Sequence, residues 1–396
     1  MKNKFGWEVK KLGEVCLFEN GDRGVNYPSK SDRTDIGIPF VNAGHLSSNG
    51  IDAENMDYIS REKYNQLGGG KFKIGDLLFC LRGSVGKYAV NNQFSEGTIA
   101  SSLVIIRPNS SLITKFLMYY FGSQICKEMI LDFGNGAAQP NLSAGNLKKF
   151  KIPVPPLPTQ HQIVSELDAL SEIISKKKQQ LEELDKLAQA TFYDMFGDPV
   201  SNEKGLTVKS LGEICEITSS KRIYAEEYQK DGIPFYRSKE IIEKGKKKPI
   251  SLELYISNER YNEIKNKFGV PEIGDILMTA VGTIGEIWVV DTDSPFYFKD
   301  GNIVWLKMNK SNNSIYFLFV LGLLVKEYKA KMANGAAYSA LTIVNLKNMD
   351  VVFPELDIQN QFASKIESIE SQKSLITQSI AEVQQLFDYT MDKYFN

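Results

Sequence analysis

The sequence predicts an α+β protein in which two mixed α/β units alternate with two long helices. The helices form an antiparallel coiled coil, and the whole is a pseudo-two-fold internal repeat of about 199 residues. Three observations predict this. A shift of 199 residues brings distant segments into register, too long a period for a solenoid. Two stretches free of glycine and proline carry a heptad seam, and each follows a proline-containing breaker. The remainder holds short β-like runs bounded by glycine, asparagine and aspartate.

In chain order, VKKLGEVC at 9–16 falls on VKSLGEIC at 208–215. IGDLLFCLRGSVGK at 74–87 falls on IGDILMTAVGTIGE at 273–286, and NGAAQPNLSAGNLKKF at 135–150 on NGAAYSALTIVNLKNM at 334–349. Strands are predicted at 76–80, 102–107, 275–280 and 286–290, and helices at 112–131 and 314–333, where the apolar alternation is lost. The breakers at 152–159 and 351–357 close each unit. The division is therefore 1–157, 158–197, 198–355 and 356–396.

The first seam runs through Ile163, Leu167, Leu170, Ile174, Lys177, Leu181, Leu184, Ala188, Thr191 and Met195. The second runs through Phe362, Ile366, Ile369, Lys373, Ile376, Ile380, Val383, Phe387, Thr390 and Tyr394, each 199 residues from its counterpart. Lys177 and Lys373 interrupt the two seams at different layers, which favours one register at some cost in stability. A helix of about 35 residues is roughly 50 Å long, so pairing is expected to give a dumbbell.

Composition narrows the chemistry. With 42% hydrophobic and 24% charged residues, collagen-like, disordered and low-complexity readings are excluded. The longest apolar runs, such as 315–325, fall short of a bilayer span. The first residues hold no apolar signal core, and Cys16, Cys80, Cys126 and Cys215 show no CxxC spacing, so a reducing cytoplasm is the expected address. Only His45 and His161 are present, so a multi-histidine metal centre cannot be built and an ordinary hydrolase is disfavoured.

Charge is unevenly spread. Lys and Arg number 19 against 14 Asp and Glu over 1–157, 4 against 7 over 158–197, 21 against 21 over 198–355 and 3 against 6 over 356–396. The acidic helices are unsuited to phosphates, whereas the globular units, including a Lys244, Lys246, Lys247 and Lys248 cluster, could meet them.

Several motifs read as structural. GSVGK at 83–87 has two residues between its glycines where a phosphate loop needs four, and the repeat puts Glu286 in place of its lysine; a tight turn is the reading. Asp76 and Asp275 each follow Ile-Gly before an apolar strand, where aspartate bonds its own turn. His161 reads as a helix-start residue. There is no methyl-transfer tetrapeptide, no glycine-rich loop for a methyl donor, and no carboxylate cluster for a nuclease metal.

The ordered motifs WEVKKLGE at 7–14, GIPF at 37–40 and 232–235, IGD, G(S/T)(V/I)G, NGAA with NLK, and PPLPTQHQI occur as two sets over essentially the whole chain. This arrangement resembles the specificity subunit of type I restriction-modification systems. Where that family often carries Glu-Gln at each helix start, this chain has Gln160-His161-Gln162 and Gln359-Asn360-Gln361.

The resemblance implies a non-catalytic DNA reader in the cytoplasm of a bacterium or archaeon. Each unit would be a target-recognition domain for one half of a bipartite asymmetric sequence in double-stranded DNA. The helices would set the gap and dock two modification (methyltransferase) subunits, with a restriction/translocase subunit joining the complex and no membrane involved. No cofactor or metal is expected in this chain; S-adenosylmethionine and ATP are expected on the partner subunits.

Readout is expected where the two copies differ. The candidates in the first unit are Arg23, Asn26, Asn42, His45, Lys71, Arg82, Ser84, Lys87 and Gln139. In the second they are Lys221, Arg222, Arg237, Lys239, Thr279, Thr283, Tyr338 and Ser339, with Tyr338 also readable as core. Arg suits guanine, Asn and Gln suit adenine, and Lys or hydroxyl groups suit phosphate. Two other classes stay open on the residues alone: a stand-alone methyltransferase or nuclease with diverged motifs, and a duplicated protein-binding adaptor, which the sequence pI near 6.3 leaves possible.

Overall fold

The heptad-bearing stretches form two uninterrupted helices of 40 residues, Leu157–Phe196 and Leu356–Phe395. Pro158 sits in the first turn of the first helix, where a missing N–H breaks no helical bond. The computed structural model describes residues 2–47, 50–133, 142–308, 312–333 and 341–396. The chain divides into one unit of Met1–Lys178 with Thr377–Asn396 and another of Gln179–Ile376, so each unit holds one end of each long helix.

In the first unit the start of the first long helix meets the end of the second. The Tyr394 hydroxyl donates to Glu166 at 2.8 Å, and the Phe395 ring lies 5.0 Å from that of Phe116. In the second unit the end of the first helix meets the start of the second. Lys373 pairs with Asp185 at 2.7 Å, and the rings of Phe192 and Phe362 are 5.6 Å apart. Both contacts require an antiparallel pair. Lys373, an interruption on the seam pattern, is thus satisfied by a carboxylate of the facing helix.

All twenty seam positions are buried or half-buried. Near the helix ends, burial extends one position beyond the seam: Phe192, Phe196 and Phe395 are more deeply buried than Thr191, Met195 and Tyr394, and Met391 is buried beside the buried Thr390. There the helices pack on their own unit's core as well as on each other.

Each unit is built on a four-stranded antiparallel sheet buried on both faces. In the first the order is Tyr88–Val90, Leu77–Cys80, Leu103–Pro108, Cys16–Asn20. Because successive strand residues point to opposite faces, Leu77, Phe79, Val104 and Ile106 enter the core shared with the helices, while Leu78, Cys80, Leu103 and Ile105 enter a second core. The second unit repeats this with Glu216–Thr218, Ile303–Lys307, Ile276–Thr279 and Ile287–Val289. There Ile276, Met278, Val304 and Leu306 face the helices, and Leu277, Ile303 and Trp305 face away.

A second sheet covers that far core. It has five strands in the first unit, with Ile38–Val41 and Glu96–Ile99 paired parallel, and three in the second, with Ile233–Tyr236 and Tyr297–Phe298 paired parallel. Beyond the GIPF strand the units diverge. The first makes a 3-10 turn, Ala43–His45, and the second a helix, Ser238–Gly245.

The helix expected over 112–131 is two helices, Thr114–Gly122 and Gln124–Phe133. Ser123 breaks it by adopting an extended conformation, with its buried hydroxyl returned to the Tyr120 carbonyl at 2.6 Å. Over 314–333 the helix Ser314–Ala333 is continuous.

Candidate nucleic-acid interface

The GSVGK segment turns back from Leu77–Cys80 to Tyr88–Val90. The Gly86 N–H donates to the Cys80 carbonyl, and Gly83 and Gly86 both have positive φ, 79° and 87°. Gly282 and Gly285 do the same in the repeat, and a Cβ on Gly285 would overlap Val325.

Asp76 is buried and held in a bidentate pair by Arg107, with Nε at 2.7 Å and Nη2 at 2.6 Å, while also accepting from the Lys73 N–H. Asp275 instead accepts from the Trp305 indole at 2.8 Å and from the N–H groups of Glu272 and Met308. Burial pushes the Asp275 carboxyl above its ordinary value, against the opposing pull of these donors.

Two groups of candidates form in the first unit. Arg23 is exposed and donates to the Ser101 carbonyl at 3.2 Å, and Asn26 donates to the Gln66 carbonyl at 3.0 Å. The same loop meets the segment before Lys71 through Asp22, which accepts from the Gly68 N–H. Lys71 lies 4.8 Å from the centroid of the Tyr64 ring.

The second group surrounds the GSVGK turn, where Arg82, Ser84 and Lys87 are exposed. Lys87 reaches the Ala43 carbonyl at 3.5 Å. Asn42 caps the 3-10 turn, accepting from Gly44 and donating to Asp57. His45 is buried, and its Nδ1 accepts from the Asn42 N–H at 3.1 Å. Gln139 lies outside the described residues, as do Tyr338 and Ser339.

In the second unit Lys221 and Arg222 are exposed. The Lys221 N–H donates to the Tyr297 hydroxyl, and Arg222 pairs with Asp300 at 2.8 Å. Arg237 contacts both Glu240 and Glu253, at 2.8 and 2.9 Å, and Lys239 shares Glu253 at 3.2 Å. These two carboxylates hold the Arg237 guanidinium above its ordinary value. Burial pushes the Glu240 carboxyl up, but the Arg237 side chain and N–H outweigh it and leave it below the usual range. Thr279 is buried and closes the turn by donating to the Thr283 carbonyl at 2.5 Å, while Thr283 itself is exposed.

The lysine cluster at 244–248 is largely committed within the unit. Lys246 pairs with Glu286, Lys247 with Glu370, and Lys244 lies over the Trp288 ring. All four cysteines are free and buried, and burial pushes Cys16, Cys126 and Cys215 up to about 12. Among the described residues, no group of acidic, histidine or cysteine side chains is placed to hold a metal ion, and no helix is long and apolar enough to cross a membrane.

One relation joins the halves. Arg23 and Arg222 are 199 residues apart, and so are Ser101 and Asp300, to which they bond. Each unit thus presents an arginine at the same point, the loop after Cys16–Asn20 or Glu216–Thr218, tied to the turn that enters its longest strand.

A model of the type I restriction modification DNA specificity domain matches residues 5–186 and again residues 203–385. The chain belongs to this specificity family. It is a DNA-recognition family and not a catalytic one.

A Haemophilus influenzae protein, provisionally named a type I restriction enzyme specificity subunit, is 28% identical over 409 residues, covering 98% of this chain and 95% of its own. The MjaIX specificity subunit of Methanocaldococcus jannaschii is 25% identical over 402 residues, covering 92% and 86%. The fold is shared with a chain from a structure addressing assembly and conformational transition of the type I restriction-modification system, with a TM-score of 0.65, 20% identity, and coverage of 100% and 99%. It is also shared with the S subunit from M. genitalium, with a TM-score of 0.55, 18% identity, and coverage of 100% and 98%.

Sequence reasoning did not foresee several buried polar contacts that join segments within each unit. Gln160 and Gln359 are fully buried at the two helix starts. Their signal was present, since both stand in the repeated motif 199 residues apart. Arg107 and Trp305, which satisfy Asp76 and Asp275, carried no signal because the two copies use different chemistry at one position.

Proposed function

We propose that this chain is the DNA-reading subunit of a type I restriction-modification complex, working in the cytoplasm of a bacterium or archaeon. Each globular unit reads one half of a bipartite, asymmetric DNA sequence. The paired helices set the gap between halves and dock two modification subunits, which carry the methyl donor; an ATP-driven restriction subunit joins them. The observation that carries this reading is the duplication of a DNA specificity domain along an antiparallel helix pair, with a shared four-stranded core sheet and unlike loops.

The working division is 1–157 and 198–355 for recognition and 158–197 and 356–396 for spacing. It is supported by helices that begin at Leu157 and Leu356. Arg23, Arg222 and Lys221 are the candidates for phosphate, being basic and exposed on equivalent loops. Arg82, Arg237, Asn26 and Asn42 are the candidates for base readout, and Ser84, Lys87 and Thr283 on the glycine turns, with Lys71 and Lys239 on the divergent segments, are further candidates for phosphate. His45 and Thr279, both buried, hold the shape of those segments.

The test is co-expression with the neighbouring methyltransferase subunit and methylation-sensitive sequencing of host DNA. A two-part modified motif with a fixed gap, lost on deletion of this chain, is the expected result. A stable complex that leaves the methylome unchanged would refute it.

A further inference from the structure

We infer that Gln160 and Gln359 are positioning residues that fix the angle of each recognition domain on its long helix, and so restrict the DNA gap the complex accepts. This rests on the function proposed above. Both amides are fully buried. Gln160 Oε1 accepts from the Ile113 N–H at 2.9 Å, and its Nε2 donates to the Ser111 and Pro155 carbonyls, each at 2.8 Å. Gln359 repeats the pattern, accepting from the Asn313 N–H at 3.0 Å and donating to the Pro354 carbonyl at 2.8 Å. In each copy one side chain ties the helix start to the breaker behind it and to the loop that begins the domain's main helix.

The apolar contacts made one and two turns further on, by Ile163 and Leu167 or by Phe362 and Ile366, are buried in the domain core. Apolar burial is non-directional, so it supplies attraction without choosing a rotation of the helix. Hydrogen bonds weaken steeply once bent, so an amide bonded to two separate segments does choose one. The other polar ties differ between units. Asp168 accepts from Lys115 and Tyr119 in the first, and Asn313 donates to Asn360 in the second. Among the described residues, the glutamine is the tie that both share. Surfaces that read unlike half-sites have no reason to agree, but the joint that aims them has to serve both.

The experiment uses the complete chain with its modification subunits. DNA targets keep both half-sites and vary the gap by one or two base pairs around the native value. Gln160→Met and Gln359→Met, close in shape but without the amide, are expected to keep both half-site sequences while losing about tenfold in preference for the native gap over its neighbours. Gln162→Met, at an exposed position of the same turn, is expected to keep the full preference. Unchanged gap preference in both folded methionine variants overturns the inference. So does loss of the folded domain in both, which would assign the amides to stability alone. A wild-type complex that methylates no two-part sequence overturns the proposed function first, and is recognised before any variant is made.

Discussion

Replacing Arg23 and Arg222 by alanine, singly and together, tests whether equivalent arginines on unlike domains hold phosphates. The two residues occupy one place in the repeat, yet the halves of an asymmetric target differ, so a side chain common to both is suited to the part of DNA that does not vary. Each phosphate neutralised contributes about 0.9 to the slope of log affinity against log salt, so losing one contact should lower the slope by about 0.9. Over a fourfold rise in salt that is about a 3.5-fold smaller loss of affinity per arginine, and about twelvefold for the double variant. Arg222 must first leave Asp300, whereas Arg23 leaves only a neutral carbonyl, so Arg222→Ala should weaken binding less than Arg23→Ala. Removing the acid, Asp300→Ala, should strengthen it. The assay is equilibrium binding of the assembled complex to a fluorescent duplex across a salt series, paired with sequencing of the methylated sites. A variant that keeps the wild-type salt slope but accepts a new base in one half-site would refute the argument and make that arginine a base reader.

The same structure sets further expectations. Phe192→Ala empties a fully buried site bordered by Phe196, Tyr316, Phe319 and Phe362, so the second unit should lose about 3–5 kcal/mol in urea unfolding; a loss below about 1 kcal/mol would mean the aromatic cluster collapses to fill the gap. Glu240 has a lowered folded pKa, so its contribution is present above the unfolded glutamate value near 4.3 and is lost as pH falls through the folded value; Glu240→Gln should flatten the acid side of the stability curve below about pH 4.3. Seven residues inserted in phase in both long helices add about 10 Å, so the accepted gap should lengthen by about three base pairs with both half-sites retained. Loss of a half-site in methylome sequencing would count against the spacing role.

What could be read from the sequence was whatever the chain needs twice. Ile-Gly-Asp at 74–76 and 273–275 and the paired glycines beyond it stand out because turn geometry restricts residue choice at those positions. The antiparallel helix pair was legible because its seam obeys one period for most of its length. At Phe192 and Phe395 the helix surface faces a domain as well as a helix, so the buried stripe is wider there than the heptad seam alone describes. The parallel pairing of Ile38–Val41 with Glu96–Ile99 was hidden, since alternation reports a buried face but not a strand's partner. The DNA-facing set was the least legible. Arg237 and Arg23 look alike in sequence, and only the structure shows one held by two carboxylates and the other resting on a carbonyl.

The four buried thiols also make the protein a reporter on itself. Cys215 is the one cysteine of the second unit, while Cys16, Cys80 and Cys126 belong to the first. A thiol sealed in a core and held as the neutral form reacts with an alkylating reagent only when that core opens. The order in which the four are labelled therefore dates the opening of each half separately, without an introduced probe, and DNA that grips one half-site should slow one set of clocks and leave the other running.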